Sequence, residues 1–429
     1  MDKNITVWPL RPVIVMALLF TIIGVLAPLP ANAVPAFARQ TGATCDSCHF
    51  QHFPALNSFG RAFKQTAYTM SGTEENVETN NLSLPRDLSA SLITKVRYQK
   101  SNGTGTATDT GELQFPDEAA LLIGGRGGNN LGFLFEFVTF GAADTGTGEI
   151  TVGPPDVADT GSGDVSLFGS FKAHFNHQVK GTNVGAVLFT TDSGGVSYGF
   201  ELLNTGAQRF LRPAEDRQAT SAQQWLNLGS GAAEGVALVA SNDTGFANLT
   251  LWTPNHGNAA VNGTATYLRA AWMPMLGGWD SGLGFQYFSG SASRNAGSGG
   301  DVDTDGWAID AQSQGMLGKK PAGVYLSYAT VDAGSRNLFN QDTNANKKQA
   351  WSVLGELGVI PDRMTVQLGY LDGDSGAVTG SSDQRWMTGI TWLVAQNAQL
   401  VLWNTQYSGD VKLDGGGDNI TSVMLFAAF

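Results

Sequence analysis

Leu92-Ile93-Thr94-Lys95-Val96-Arg97-Tyr98-Gln99 is the stretch that decides the fold. Successive side chains of an extended chain point to opposite faces. Leu92, Thr94, Val96 and Tyr98 therefore oppose Ile93, Lys95, Arg97 and Gln99. The same period of two returns along the chain. Phe171, Ala173 and Phe175 oppose Lys172, His174 and Asn176; Val196, Tyr198, Phe200 and Leu202 oppose Ser197, Gly199 and Glu201. Trp307, Ile309 and Ala311 oppose Ala308, Asp310 and Gln312; Met364, Val366, Leu368 and Tyr370 oppose Thr365, Gln367 and Gly369. Short strands with one apolar face, separated by polar Gly-rich breaks from Asp87 onward, predict a mainly β architecture.

The breaks come in two sizes. Short turns are expected near 177–182, 241–245, 275–279, 360–363 and 396–397, with Gly124-Gly125-Arg126-Gly127-Gly128 as a further turn. Long polar stretches run near 99–113, 141–164, 253–265, 290–305, 332–348, 373–383 and 408–419. Alternating short turns and long loops, with strands apolar toward lipid and polar toward a lumen, predict an outer-membrane antiparallel β-barrel over 86–429. The pattern gives 16 or 18 strands, with 204–234 the stretch that leaves the count open. The number should be even, so that both barrel ends face the periplasm. Trp252, Trp272, Trp279, Trp307, Trp351, Trp386, Trp392 and Trp403 fall near strand ends, where an aromatic girdle would lie. The last residues, Val423 to Phe429, resemble the closing strand of such barrels.

Composition agrees. The 429 residues include 55 Gly, and only 14 % are charged, against about 25 % in an average soluble domain. With 42 % hydrophobic and 10 % aromatic residues the chain is not of disordered type. A net charge of −12 lacks the basic footprint of a nucleic-acid binder.

The first 33 residues read as a secretory signal peptide: Lys3 and Arg11, an apolar run from Val13 to Ala27, then Ala31-Asn32-Ala33. Only two cysteines follow, in Cys45-Asp46-Ser47-Cys48-His49. Cys-x-x-Cys-His is the attachment signature of c-type haem. Two thiols at this spacing reach the porphyrin vinyl groups, and His49 lies under the iron as proximal ligand. One covalent haem c is the expected cofactor, held by a small α-helical cytochrome segment over 34–80. Met70, 21 residues beyond His49, is the candidate second iron ligand. His174, His256 or an open iron position are the alternatives. Leu56, Phe59 and Phe63 fall on one helical face, and Pro54 suits the first turn of that helix. Asp301-Val302-Asp303-Thr304-Asp305-Gly306 begins like a calcium loop, but Gln312 stands where the bidentate Glu belongs, so it reads as a solvated acidic loop. His174 and His177 are close enough in sequence for a metal pair, although lumen polarity explains them as well. No hydrolase or transferase constellation stands out.

The block Ala38-Arg39-Gln40-Thr41-Gly42, Cys45 to His49, Phe53-Pro54-Ala55-Leu56-Asn57 and Phe59-Gly60-Arg61-Ala62-Phe63-Lys64 resembles the fused monohaem cytochrome–porins of the outer membrane, the iron oxidases of iron-oxidising bacteria. The block covers about 30 residues; the barrel agrees in layout and length rather than by motif. The resemblance implies electron transfer from extracellular Fe(II) to a periplasmic c-type cytochrome, with the haem segment in or at the barrel. It carries over Cys45, Cys48 and His49 directly. A haem would shorten the roughly 30 Å gap across the lipid. The readings set against it are a diffusion porin with a structural or sensory haem, a conduit with another donor or direction, and a haem enzyme with an open iron site.

Overall fold

The computed structural model describes residues 35–72, 75–79, 82–86, 89–141, 168–206, 216–257, 263–295, 299–341 and 346–429. The expected signal peptide, and most of the expected loop at 141–164, lie outside them.

Sixteen antiparallel strands form a closed barrel. They are β1 (Ala90–Ser101), β2 (Glu112–Arg126), β3 (Leu131–Gly141), β4 (Phe168–Val179), β5 (Thr182–Thr191), β6 (Ala233–Asn242), β7 (Gly245–Thr253) and β8 (Ala265–Trp272). There follow β9 (Trp279–Ser289), β10 (Gly306–Leu317), β11 (Lys320–Val331), β12 (Lys348–Ile360), β13 (Met364–Asp374), β14 (Ser382–Ala395), β15 (Ala398–Tyr407) and β16 (Asn419–Ala428). Each pairs with its neighbours in sequence, and β16 closes on β1 with Leu425 opposite Val96. Leu92 and Phe429 exchange both backbone hydrogen bonds at 2.9 Å, so the C-terminal residue is stitched to the first strand. Closure leaves no barrel edge unpaired.

The alternation read from the sequence is the alternation of the wall. On β13, Leu368 is 57 % exposed and its neighbour Gln367 only 4 %. On β1, Lys95, Arg97 and Gln99 face inward and are buried, whereas Leu92 is exposed. The exterior is apolar, with Leu188, Leu238, Leu251, Leu283, Ile309 and Leu326 all exposed. A barrel with a lipid-compatible exterior and a polar interior belongs in the outer membrane. Connections after even-numbered strands are short, at the end that holds both Ala90 and Ala428. Those after odd-numbered strands are long. The expected turns at 177–182, 241–245, 275–279, 360–363 and 396–397 lie on the short side.

Two expectations are corrected. Val196, Tyr198, Phe200 and Leu202 do not form a strand. They belong to the long connection between β5 and β6, which turns into the lumen through a 3-10 turn at Val196–Tyr198 and a helix at Ala222–Leu226. Their apolar side chains pack on each other and on the inner wall: Val196, Phe200, Leu202, Leu203 and Leu226 are buried with Phe189, Ala237 and Phe288. Trp252 and Trp403 are not girdle residues, because both are fully buried on the inner face. Trp272, Trp351, Trp386 and Trp392 are exposed on the outside, as a girdle requires.

Candidate cofactor site in the barrel lumen

Residues 35–72 fold as three short helices, α1 (Ala36–Thr41), α2 (Cys45–Cys48) and α3 (Ser58–Gln65). Gly42 ends α1 in the left-handed conformation and donates its N–H to the Ala38 carbonyl. Asn57 caps α3 through its side chain, which accepts from the Gly60 N–H at 3.0 Å. The helix therefore starts at Ser58, later than Pro54 suggests. Its buried face carries Phe63, while Phe59 is exposed. The absence of a side chain at Gly60 lets α3 lie on α2, since a Cβ there would sit 2.3 Å from the Cys48 carbonyl oxygen.

So short a segment buries little core alone. The barrel wall supplies the rest. Arg61 binds both oxygens of Asp280 at 2.6 and 2.7 Å. His52 Nε2 meets Glu356 Oε2 at 2.7 Å. The Phe53 N–H donates to Gln399 Oε1, and Gln399 Nε2 donates back to the Phe53 carbonyl. At Gly132 on β3 the segment's backbone comes so close that a Cβ would lie 1.7 Å from the Ala67 carbonyl oxygen. These anchors come from well-separated strands, so the segment fills the short-turn end of the lumen. The inward loop meets it from the other end. Asn204 exchanges two hydrogen bonds with the Leu56 backbone, at 2.8 and 3.0 Å. Lys64 Nζ donates to the Glu201 carbonyl at 2.5 Å.

The loop is held by a buried charge cluster. Arg269 on β8 forms bidentate pairs with Glu201, at 2.8 and 3.2 Å, and with Asp310 on β10, at 2.7 and 3.0 Å. Thr205 donates to Asp310 at 2.6 Å. Burial holds the Glu201 carboxyl above the usual range despite the opposing pull of Arg269.

Between the segment and the wall lies a cavity of about 420 Å³. Cys45, Cys48 and His49 line it, with Phe37, Phe53, Leu56, Phe63, Ile93 and Leu122 as apolar walls. Cys45 and Cys48 stand three residues apart on one helical turn, hence on one face. They are not joined in a disulfide. Burial pushes both thiols up, and Asp46 raises Cys45 further. They are protonated thiols rather than the depressed thiolates of a redox pair. His49 Nδ1 lies 3.1 Å from the Ala55 carbonyl oxygen. That oxygen can only accept, so Nδ1 carries the proton and Nε2 keeps its lone pair. Burial lowers the ring to about 4 against the opposing Ala55 bond, so it is neutral near pH 7. A neutral imidazole whose other nitrogen is tied to a backbone carbonyl is the form in which histidine ligates metal. An apolar cavity, two thiols on one face and a preset histidine fit a covalent porphyrin.

Met70 is not brought to this cavity. Its carbonyl accepts from the Gln40 side chain at 2.7 Å, and its side chain is absent from the cavity wall. His52 does line the cavity, but Glu356 and the Phe53 carbonyl occupy both its nitrogens. Burial pulls His52 down, and the Glu356 charge and hydrogen bond more than reverse this, leaving it above its ordinary value. His174 packs between Tyr68 and Phe200, with His177 exposed on the opposite face. His256 sits beyond β7, near Thr190. Asp303 pairs with Arg336 in the acidic loop. Among the described residues no three His, Cys, Asp or Glu side chains are grouped to hold a metal ion.

The partnerships His52–Glu356, Asn204–Leu56 and Glu201–Arg269–Asp310 were not read from the sequence. The polar alternation of β4, β8, β10 and β12 was the available signal that something polar fills the lumen.

The chain folds as a closed antiparallel barrel. It is similar to OmpT, an outer membrane protein of Vibrio cholerae, with 10 % identity, a TM-score of 0.44 and coverage of 83 % of this chain and 100 % of that one. It is also similar to a BenF-like porin from Pseudomonas fluorescens, with 14 % identity, a TM-score of 0.41 and coverage of 80 % and 99 %. A mutant of the Rh. blastica porin gives 11 % identity, a TM-score of 0.47 and coverage of 80 % and 100 %. No family model matches the chain, and no curated protein does either.

Proposed function

We propose that this barrel is an outer-membrane electron conduit that takes electrons from extracellular Fe(II) and passes them to a periplasmic c-type cytochrome. The observation that carries the reading is the placement of Cys45-Asp46-Ser47-Cys48-His49 on a cavity inside the lumen. Cys45 and Cys48 would hold one haem c through thioethers, and His49 would give its Nε2 to the iron. Bound there, the haem supplies a one-electron acceptor and donor.

The chain's own residues do the rest. Phe37, Phe53, Leu56 and Phe63 keep water from the cofactor faces. The Ala55 carbonyl fixes the orientation and tautomer of His49. Arg61, His52 and Phe53 lock the segment to the wall. The inward loop obstructs the lumen from the long-loop side, so Fe²⁺ gives up its electron without crossing. Acidic outer loops concentrate the cation by their field. The net charge of −12 favours this.

The test is anoxic stopped-flow mixing of the oxidised protein in detergent with Fe(II), following the haem α-band. Reduction within the mixing experiment is expected, one electron per Fe(II). A protein that dithionite reduces but Fe(II) leaves oxidised would refute Fe(II) as donor. A protein purified from a host competent in cytochrome c maturation but carrying no covalent haem would refute the cofactor.

A further inference from the structure

Two lysines line the same cavity, Lys64 on α3 and Lys172 on β4. Lys172 is 5 % exposed. Among the described residues each donates to a backbone carbonyl. Lys172 Nζ donates to the Tyr198 carbonyl at 2.7 Å and lies 3.9 Å over the Tyr198 ring. Lys64 Nζ donates to the Glu201 carbonyl at 2.5 Å. Among the described residues neither forms an ion pair. An ammonium has three N–H donors, so each keeps two for another partner.

The local charge does not balance. Glu136, on the adjacent strand β3, lines the cavity at this end, and its charge acts on Lys172. Glu201 is committed to Arg269 by two hydrogen bonds. Tyr68 and Tyr198, raised by burial, are uncharged phenols, and His174, packed against Tyr68, adds no negative charge. Two lysines beside one available carboxylate leave a charge unbalanced, and proteins pair buried charges or give them an anionic ligand. The opposite reach of the cavity, near Phe53 and Phe426, is lined by Asp362, Gln396, Asn397 and Gln399 and offers no lysine or arginine. Both lysines of the lining therefore lie at one end of the cavity, which suits a porphyrin with two carboxylates at one edge.

We infer that Lys64 and Lys172 receive the two propionate carboxylates of the haem. This rests on the haem reading above, and extends it to how the porphyrin is rotated in its plane: the propionate edge faces β4 and the inward loop.

The test compares Lys172→Met, Lys64→Met and the surface control Lys412→Met in the full-length haem-loaded protein, by redox titration and visible spectra. Methionine keeps the apolar stem and removes the charge. Each lumen variant should retain haem staining and a wild-type spin state, and should favour the oxidised form at least tenfold more, a midpoint about 59 mV lower. Lys172→Arg should restore most of it, and Lys412→Met should change nothing. Unchanged midpoints in both lumen variants with normal haem would overturn the inference alone. So would a change of spin state in Lys172→Met, which would make Lys172 an axial ligand. Wild-type protein without covalent haem would overturn the inference together with the reading beneath it.

Discussion

Arg269→Met should release the inward loop from the barrel wall. The guanidinium makes four charge-assisted hydrogen bonds, two to Glu201 and two to Asp310, with no solvent at the side chain. Removing one partner of a buried ion pair costs about 3–5 kcal/mol, because the other charge is stranded. Glu201 escapes the stranded charge only by taking up a proton, which burial already favours. The sign with pH follows. Glu201 is already raised in the folded state, and losing Arg269 raises it more. A folded carboxyl with raised pKa destabilises above its unfolded value and stops doing so below it. The variant's deficit should therefore be full at pH 7 and shrink toward pH 4. Urea unfolding of the barrel in detergent at both pH values, with single-channel recording in planar bilayers, measures both consequences. Wild type should be nearly silent, and the variant should flicker between closed and conducting levels. A deficit under 1 kcal/mol, or one that grows as the pH falls, would refute the reasoning.

Cys45→Ala and Cys48→Ala should each reduce covalent haem severely, and the double variant should abolish it while the barrel still folds; in-gel haem staining and heat-modifiability read these separately. Gly132→Val should displace the segment at Ala67, because the new Cβ meets a carbonyl oxygen at 1.7 Å; we expect a loss of about 3 kcal/mol, the upper end of the usual range for overpacked sites, seen as faster proteolysis of residues 35–72 than in wild type. Met70→Ala should leave the spin state of the haem unchanged, as expected of a side chain off the cavity wall; a change of spin state would show that Met70 reaches the iron. Glu356→Gln should lower the His52 pKa by removing the opposing charge, measured by NMR titration of the ring, and an unmoved value would contradict the 2.7 Å pair.

The wall was legible because every strand must satisfy lipid on one side and lumen on the other, which imprints a period of two. The loops were legible because turns need Gly and polar residues. The inward loop was not, for a definite reason. Val196 to Leu202 also alternates, but its apolar side packs on the loop's own helix and on Phe189 rather than on lipid. Periodicity records that a face is apolar, not what covers it. Trp252 and Trp403 show the same ambiguity, since a tryptophan near a strand end suits either the interface or the interior. Within the candidate site, Cys45, Cys48 and His49 were legible because attachment chemistry fixes their spacing. Lys172, Glu201 and Glu356 were not, since they join a segment more than a hundred residues away and no local pattern reports that. Met70 satisfies chain length, yet Gln40 holds its backbone elsewhere.

The dependence of residues 35–72 on wall residues such as Asp280, Glu356, Gln399 and Gly132 bears on how such a protein can arise and be rebuilt. The segment is not a cargo domain that could be cut out and attached to another scaffold. Its side chains pack on the inner surface of the barrel, with Ala55 and Phe50 in one interior cluster and Phe53 in another. A transplant would need the recipient to carry the matching carboxylates, the amide at 399 and the bare glycine at 132. Recombination at the boundary between the two would leave a leader without its wall partners and a barrel unfilled at its short-turn end.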